Sequence, residues 1–316
     1  MIGRRIAVVL GQAEHKLFPG APVILIYHRV SDEARDFWGV TTSPERFAEQ
    51  IEAVKSVRRI VPLSELAGAV GKRRSSDKPL AAITFDDGYQ DVLTNAAPIL
   101  ERLDAPSTLF VVSGLVDQPR EFWWDELAHI LLECEGYPDE LKLHYRTGPA
   151  CWWTPSRRQL VGICHQLRHR FRRMAPDYIE EMIAQLRAWA KFPVAARPEN
   201  RVVTSAQIAK MKGGLMSVGA HTAQHPSMPA LAADAQAEEA LASRRALEGF
   251  LGAPVEHFAY PFGDYNKASL AAAKAAGFKL ACTTVPSTVK AWRDPLRLPR
   301  FNPRHMDGEA LIKALG

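Results

Sequence analysis

The fold of this chain is decided by one stretch, AAITFDDG, at residues 81–88. Its first five residues are apolar or β-branched, which is typical of a strand buried on both faces of a parallel sheet. Two adjacent carboxylates, Asp86 and Asp87, follow directly at the end of this strand. Because α/β barrels build their active sites at the carboxyl ends of their strands, the stretch predicts both a barrel strand and a site.

Further strand-like runs alternate with helical patterns along the chain, and this alternation favours a parallel sheet or barrel. The predicted strands lie at residues 22–28, 81–85, 107–112, 215–219, 258–262, 280–284 and 296–298, and the predicted helices begin after Ser43 and span 96–103, 232–251 and 267–276. The alternation stops between residues 120 and 203, where the pattern predicts helices at 121–135, 155–171 and 176–191. We therefore expect one α/β barrel-like domain over residues 1–316, with a helical insertion at 120–203.

The composition of the 316-residue chain excludes several classes of protein. Hydrophobic residues make up 47% and charged residues 24%, which is ordinary for a globular protein and excludes a disordered, collagen-like or coiled-coil chain. The four cysteines form no CxxC pair, so neither a disulfide scaffold nor a zinc ribbon is indicated. The apolar run at residues 6–10 is too short for a signal peptide or a membrane span, and we expect a cytoplasmic protein.

The basic charge of the chain is concentrated in the insertion. Residues 146–201 contain eleven Lys and Arg against four Asp and Glu, whereas the whole chain has a net charge of only +5. The Arg-rich run at 168–173 is either a solvated helix face or a contact surface for a membrane or a phosphate-linked glycan. Nothing else in the sequence resembles a nucleic-acid-binding module, so nucleic acid is not an expected partner.

Two histidines follow another predicted strand, in the sequence HTAQH at residues 221–225. Histidines four residues apart lie on one face of a helical turn, a spacing found in zinc sites. One Asp together with His221 and His225 would supply three ligands and leave a fourth position open, as in catalytic zinc sites. The other Asp could then act as a base. The alternative is an Asp-Asp-Gly turn that bonds only its own backbone, together with a surface His pair.

These motifs resemble those of the NodB-homology polysaccharide deacetylases, carbohydrate esterase family 4. The sequence TFDDG at 84–88 resembles the first motif, GAHTAQHP at 219–226 the second, and FAYPFG at 258–263 a variant of the third. The three motifs occur in the order of the family, and the resemblance covers residues 22–118 and 204–305. It implies a distorted (β/α)7 barrel that hydrolyses N-acetyl groups on sugars with the help of a metal ion.

The resemblance also implies a role for each matching residue. Asp86 corresponds to the catalytic base, and the metal ligands correspond to Asp87, His221 and His225. The backbone amide of Phe262 corresponds to the donor that stabilises the tetrahedral oxyanion. Zinc is the expected metal, with cobalt, nickel and manganese as alternatives because ligands of this type accept them as well.

The sequence departs from the family pattern at two positions. The third motif usually carries an Arg where this chain has Ala259, so Arg297 or Arg300 would have to supply that charge, and we favour Arg300. The usual C-terminal Leu-x-His motif is also missing, and the sequence around His305 does not match it. The N-terminal sequence IYHRV at 26–30 resembles instead the rearranged branch that includes poly-N-acetylglucosamine deacetylases, which makes His28 the general acid.

The sequence thus predicts a hydrolase that removes N-acetyl groups from amino sugars of a bacterial glycan, either a polysaccharide or a glycoconjugate precursor. Three aromatic residues, Tyr260, Trp123 and Trp124, are predicted to bind the sugar rings. One alternative is an O-acetyl esterase or a non-sugar amidase, because the same site would cleave either carbonyl. A second alternative is a catalytically weak glycan-binding domain.

Overall fold

The computed structural model describes residues 20–32, 36–69, 78–134, 137–192, 197–290 and 294–315. The strands are β1 (Val23–Tyr27), β2 (Arg29–Val30), β3 (Thr41–Thr42), β4 (Arg59–Ile60), β5 (Leu80–Phe85), β6 (Ser107–Val111), β7 (Glu140–Tyr145), β8 (Gly148–Trp153), β9 (Met216–Ala220), β10 (His257–Ala259) and β11 (Leu280–Cys282). The helices are α1 (Pro44–Val57), α2 (Leu63–Ala69), α3 (Ala97–Arg102), α4 (Trp123–Leu132), α5 (Arg157–Phe171), α6 (Pro176–Ala190), α7 (Ser205–Lys210), α8 (Ala233–Leu251), α9 (Lys267–Ala275) and α10 (Gly308–Leu315).

The central sheet is parallel and curls into a barrel. Its strands lie in the order β1, β5, β6, β9, β10, β11, and β4 pairs with the start of β5. The segment from Leu298 to Phe301 connects the two ends of the sheet, because Leu298 bridges Cys282 of β11 and Phe301 bridges Leu25 of β1. The sheet with its surrounding helices forms the predicted distorted (β/α)7 barrel, and that prediction is confirmed.

Helix α1 shows how the local sequence produces an element as predicted. The Ser43 hydroxyl accepts a hydrogen bond from the Arg46 amide at 3.2 Å, and Pro44 occupies the first helical position. Both features stabilise a helix start. The apolar residues Phe47 and Ile51 are buried on one face of α1, and they join the core cluster inside the barrel.

The insertion is more than the predicted set of helices. It contains α4, α5 and α6 near their expected positions, but β7 and β8 form an antiparallel hairpin that the sequence analysis missed. Alternate residues of β7 are buried, including Leu141 and Leu143. These leucines pack with the three helices in a core cluster separate from that of the barrel. The insertion is therefore a small α+β unit with its own core.

The apolar run at residues 6–10, on which the expectation of a cytoplasmic location depended, lies outside the described residues. Among the described helices, none combines the length and apolarity needed to cross a bilayer. The four cysteines are free, and two of them, Cys164 and Cys282, are buried.

Candidate active site

The register of β1 and β5 places His28 next to Asp86. Tyr27 at the end of β1 is paired with Phe85 at the end of β5, and the Asp86 amide donates a hydrogen bond to the Tyr27 carbonyl at 3.0 Å. His28 and Asp86 each come one residue later, so they lie side by side at the carboxyl end of the barrel. The Nδ1 atom of His28 is buried and has no hydrogen-bond partner among the described residues.

Asp86 forms a buried ion pair with Arg300 from the segment that closes the barrel. Two guanidinium nitrogens of Arg300 donate to the two carboxylate oxygens of Asp86, each at 2.6 Å. Arg300 also donates to the Thr283 carbonyl at 2.9 Å and to the Thr84 hydroxyl at 3.2 Å. Arg297, the alternative residue, is half-exposed and lies 3.3 Å from Asp294. Arg300 is thus the arginine that contacts Asp86.

The surroundings of Asp86 keep its carboxyl group ionised. Burial by itself raises the pKa of Asp86, but the charge and hydrogen bonds of Arg300 and the charges of His221 and His28 lower it, and the net shift of the pKa is downward. An ionised carboxylate can accept a proton, and each of its oxygens has a lone pair beyond the one that binds Arg300. Asp86 therefore has the charge state that a general base requires.

Asp87, His221 and His225 form a buried cluster of possible metal ligands. The Oδ1 atom of Asp87 lies 3.5 Å from Nε2 of His221 and 3.2 Å from Nε2 of His225. The three candidate ligand atoms all lie within 4.8 Å of one another. His221 also hydrogen-bonds the Ala259 carbonyl through Nδ1 at 2.7 Å, and such a bond directs the other ring nitrogen toward a metal. The donor set fits a divalent transition metal.

The pKa shifts in this cluster agree with a ligand set. Burial by itself raises the pKa of Asp87, but the hydrogen bonds from His221 and His225, together with the charges of His225 and His28, outweigh it and hold the pKa well below its ordinary value. Burial lowers the pKa of His225, against the opposing charge of Asp87. A carboxylate and a neutral imidazole are the forms that bind a metal ion.

Unusual backbone geometry is concentrated at the site. Eight non-glycine residues in the described part of the chain have positive φ, and four of them lie at the site: Asp87, Thr222, His225 and Phe262. Thr222 has φ of 66°, which is rare for a β-branched residue. Such strain persists only where the surrounding structure enforces it, and it is frequent at functional sites.

The loop that carries the two histidines is fixed by several contacts. The Thr222 hydroxyl accepts a hydrogen bond from the His225 amide at 2.9 Å. Glu239 of α8 accepts hydrogen bonds from the amides of Ala223 and Gln224, both at 2.9 Å. These bonds compensate for the strained backbone and hold both imidazoles in place.

The loop that carries Phe262 is held by a junction with the insertion. Arg172, directly after α5, forms an ion pair with Asp264 and lies 4.6 Å from the centre of the Phe262 ring. Asp264 also accepts a hydrogen bond at 3.0 Å from the hydroxyl of Ser227, two residues after His225. One carboxylate thus links the insertion, the histidine loop and the Phe262 loop. Sequence analysis missed this junction.

The predicted substrate-binding aromatics have different environments. Tyr260 is completely buried, and its hydroxyl donates to the Leu296 carbonyl at 3.1 Å. Trp124 is also buried, and its ring centre lies 4.6 Å from that of His225. Both rings are buried in this structure, and their contact with a sugar stays a prediction. Trp123 is partly exposed at the boundary between the two core clusters.

The arginines of the run at 168–173 are solvated in part, because Arg170 and Arg173 are exposed. Arg168 lies 4.4 Å from the centre of the Trp38 ring, and Arg170 lies 4.3 Å from the centre of the Tyr145 ring. Arg172 forms the ion pair described above. Arg168 and Arg172 are half-buried, so both interpretations of the run, a solvated face and a contact surface, stay open.

A buried hydrogen-bond chain behind the site also escaped the sequence analysis. The Trp124 indole donates to the Tyr89 hydroxyl at 3.0 Å, and this hydroxyl donates to Oδ2 of Asp125 at 2.5 Å. Tyr89 directly follows the DDG turn, and Asp125 lies in the first turn of α4. The partners are 36 residues apart, and no local pattern in the sequence connects them.

Asp125 provides a pH-dependent prediction. Burial raises the pKa of Asp125 to about 7, so the folded state holds its proton more tightly than the unfolded state does. The stabilisation of the fold by protonated Asp125 is complete below the pKa of this group in the unfolded chain, and it is lost as the pH rises toward 7.

The variant Asp125→Asn stays neutral at every pH, and its side-chain oxygen can still accept the hydrogen bond from Tyr89. Between pH 5 and pH 8 the wild type should therefore lose about 2 kcal/mol more unfolding free energy than this variant. Urea denaturation measures both, and parallel pH profiles would contradict the assignment.

The barrel and the cluster at its carboxyl end define the class of this protein as an α/β barrel with a candidate mononuclear metal centre. A model of the polysaccharide deacetylase family matches residues 73–281, which is more than half of the chain, and the chain belongs to this family. The family resemblance inferred from the motifs is therefore confirmed. Membership places the protein among the carbohydrate deacetylases, which are hydrolases. A comparison with curated proteins finds no match.

Solved structures with the same fold include three deacetylases. The deacetylase PplD of Streptococcus pyogenes, in complex with acetate, is 20% identical with a TM-score of 0.64 over 95% of this chain and 100% of that chain. IcaB from Ammonifex degensii is 19% identical, with a TM-score of 0.59 over 94% and 98% of the two chains. A de-N-acetylase from Aggregatibacter actinomycetemcomitans is 16% identical, with a TM-score of 0.59 over 93% and 99%. At these identities the likeness establishes the fold.

Proposed function

We propose that this protein is a metal-dependent hydrolase that removes N-acetyl groups from amino sugars of a bacterial glycan, either a polysaccharide or a glycoconjugate precursor. The observation that carries the proposal is the convergence of the Asp87–His221–His225 cluster with Asp86 and His28 at one end of the barrel. This arrangement combines possible metal ligands with a base and a candidate acid.

Asp87, His221 and His225 would hold the metal ion, with zinc preferred and cobalt, nickel or manganese as alternatives. A divalent ion bound there supplies a Lewis acid that polarises a carbonyl oxygen and makes water easier to deprotonate. The three side chains are buried, and their candidate ligand atoms face one another.

The remaining residues divide the chemistry of amide hydrolysis among them. Asp86 takes the proton of the water that attacks the acetyl carbon, and Arg300 keeps this carboxylate ionised and oriented. The amide of Phe262 donates to the oxyanion, a contribution of roughly 3–4 kcal/mol for one such donor. His28 gives a proton to the departing nitrogen, which is a poor leaving group without it. The products are acetate and a free amino sugar.

Other parts of the proposal concern the surroundings of the site. Trp123 is the predicted aromatic residue that remains partly exposed for contact with a sugar. The name of one structural relative, a de-N-acetylase, agrees with N-acetyl groups as the target. Contact of the basic insertion with a membrane surface or a phosphate-linked glycan stays a proposal, as does the cytoplasmic location.

Acetate release tests the function directly. Purified protein should release acetate from N-acetylglucosamine oligomers, lose this activity with a chelator and regain it when zinc is added back. Faster release from O-acetylated sugars or from non-sugar amides would favour the esterase or amidase alternative. Binding of the oligomers without release from any substrate would identify a glycan-binding domain.

The metal site makes a separate prediction that does not depend on activity. Because each ligand supplies one of only three protein bonds, His221→Ala and His225→Ala should each lose most of the bound metal in elemental analysis. His144→Ala, which changes an exposed histidine on β7, should keep full occupancy and serves as the control. Full metal content in both site variants would show that the ion binds elsewhere.

A further inference from the structure

Arg168 of α5 is a half-buried cation with no carboxylate partner in the part of the chain that the structure describes. Among the described residues, no carboxylate oxygen lies within 4.0 Å of its guanidinium group, and no hydrogen bond to that group is found. Its recorded contact is the Trp38 ring, whose centre is 4.4 Å from Cζ. Burial, the largest influence, lowers the pKa of Arg168, so the group has lost part of its hydration without gaining an ion pair.

The other half-buried arginines of the insertion are all paired. Arg172 pairs with Asp264, Arg187 with Glu126 and Glu180, and Arg197 with Glu121. A partly desolvated charge is costly unless an opposite charge approaches it. Arg168 is thus the exception in a unit that otherwise compensates its half-buried guanidinium groups.

Contacts made by its neighbours connect Arg168 to the candidate active site. Arg172, one helical turn further along, contacts Phe262, whose ring centre lies 4.6 Å from that of His225. On the other side, Trp38 belongs to the loop between β2 and β3, and β2 begins directly after His28. Arg168 therefore packs against the loop that follows β2 and lies one helical turn from the contact between Arg172 and Phe262.

Electrostatics agree with this position. The carboxylates of Asp87 and Asp125 both act on Arg168 and oppose the effect of burial on its pKa. Arg172, four residues further along the chain, contacts Phe262 beside His225, so Arg168 lies about one helical turn, roughly 6 Å along the helix axis, from a residue that contacts the candidate site. Arg172 also acts on Arg168 with a like charge, and this repulsion increases the benefit of an incoming anion.

We propose that Arg168 binds an anionic group of the glycan substrate, a carboxylate or a phosphodiester, next to the N-acetyl sugar that is processed. The proposal rests on the deacetylase function proposed above and narrows its substrate class to acidic glycans. The planar guanidinium group has five N–H donors and suits bidentate contact with either anion. The Trp38 ring holds the cation through a cation–π contact and leaves these donors available.

The test compares three tetrasaccharide probes with the metal-loaded protein. One is a neutral N-acetylglucosamine tetramer, the second alternates N-acetylglucosamine with glucuronate, and the third carries a phosphodiester. Calorimetry gives the Kd of each probe, and acetate release gives kcat/KM. Arg168→Ala removes one partner of the proposed hydrogen-bonded charge pair. It should therefore raise the Kd of one or both acidic probes by about 10- to 100-fold, and the Kd of the neutral probe by less than about threefold.

Two further variants separate the site from general effects of charge. Arg158→Ala removes an exposed arginine from the first turn of the same helix and should leave all three Kd values unchanged. Arg168→Lys keeps a point charge without the planar fork, so it should restore part of the lost affinity. The carboxylate and phosphodiester probes distinguish the two sources of negative charge.

Several results would overturn the proposal. If Arg168→Ala raised the Kd of all three probes equally, Arg168 would have a structural role only. If the wild type bound the acidic probes no more tightly than the neutral probe, Arg168 would not bind an anionic group of the substrate. Weaker binding to vesicles of an anionic phospholipid, with unchanged glycan affinities, would assign Arg168 to a membrane surface instead. If the wild type releases no acetate but Arg168→Ala selectively loses the acidic probes, the anion site stands and the proposed deacetylase function fails.

Discussion

His28→Ala should lose about 10²- to 10⁴-fold in kcat on an N-acetylated oligomer while it keeps its metal and its fold. This range is usual for the loss of one acid–base residue. His28 lies beside Asp86 because β1 and β5 are paired in register, and its charge contributes to the lowered pKa of both Asp86 and Asp87. The ring therefore lies on the same side of the cluster as the base, and its buried Nδ1 has no hydrogen-bond partner among the residues that the structure describes.

The substrate can separate proton donation from other roles of His28. An activated acetyl ester has a leaving group that needs no proton, so the kcat of His28→Ala should fall much less on such an ester than on the amide. His305→Ala is the matched control, because His305 is exposed in the turn before α10. If His305→Ala were the crippling change and His28→Ala nearly silent, the acid would come from the C-terminal segment and the rearranged-branch assignment would be wrong.

The parts of the site that follow strand ends were predictable from the sequence. A buried apolar run that ends in polar residues fixes both the strand and the edge where those residues lie, so the placement of Asp86, His221 and His28 follows from the barrel. The position of Arg300 follows from the same logic, since the last segment of a closed barrel lies against the first strand. The contact between Arg300 and Asp86 spans 214 residues, yet it can be predicted because closure of the barrel brings the last segment beside the first strands.

Other parts depend on packing between distant segments, which no local pattern encodes. The ion pair of Arg172 with Asp264 joins the insertion to the barrel across 92 residues. The burial of Tyr260 depends on how the barrel wall packs, although its motif position alone favoured contact with substrate. The β7–β8 hairpin was missed because Glu140 and Leu141 belong to residue types that also favour helices, and the alternation covers only six residues of β7.

Arg300→Met should destabilise the protein by about 3–5 kcal/mol at neutral pH, the cost of removing one partner from a buried ion pair. Arg300 is 1% exposed and Asp86 is 2% exposed, so water cannot replace the lost hydrogen bonds. Without Arg300, burial acts on Asp86 with much less opposition and raises the pKa that the pair now holds down. Urea denaturation of the chelator-treated protein measures the loss without any contribution from metal release. Arg297→Ala, on the exposed neighbour, should change the unfolding free energy by less than about 0.5 kcal/mol.

The dependence of this loss on pH distinguishes an uncompensated charge from a packing defect. In the wild type, the pair stabilises the fold above the unfolded pKa of Asp86, and this stabilisation is lost as the pH falls through the lowered folded pKa. In Arg300→Met the folded pKa is raised instead, so the variant becomes less stable as the pH rises above the unfolded value. The deficit should therefore be larger at pH 8 than at pH 5. Adding Asp86→Asn to Arg300→Met removes the buried charge and should recover part of the stability at pH 8. A deficit that is independent of pH and unchanged in the double variant would mean that Arg300 contributes by packing alone.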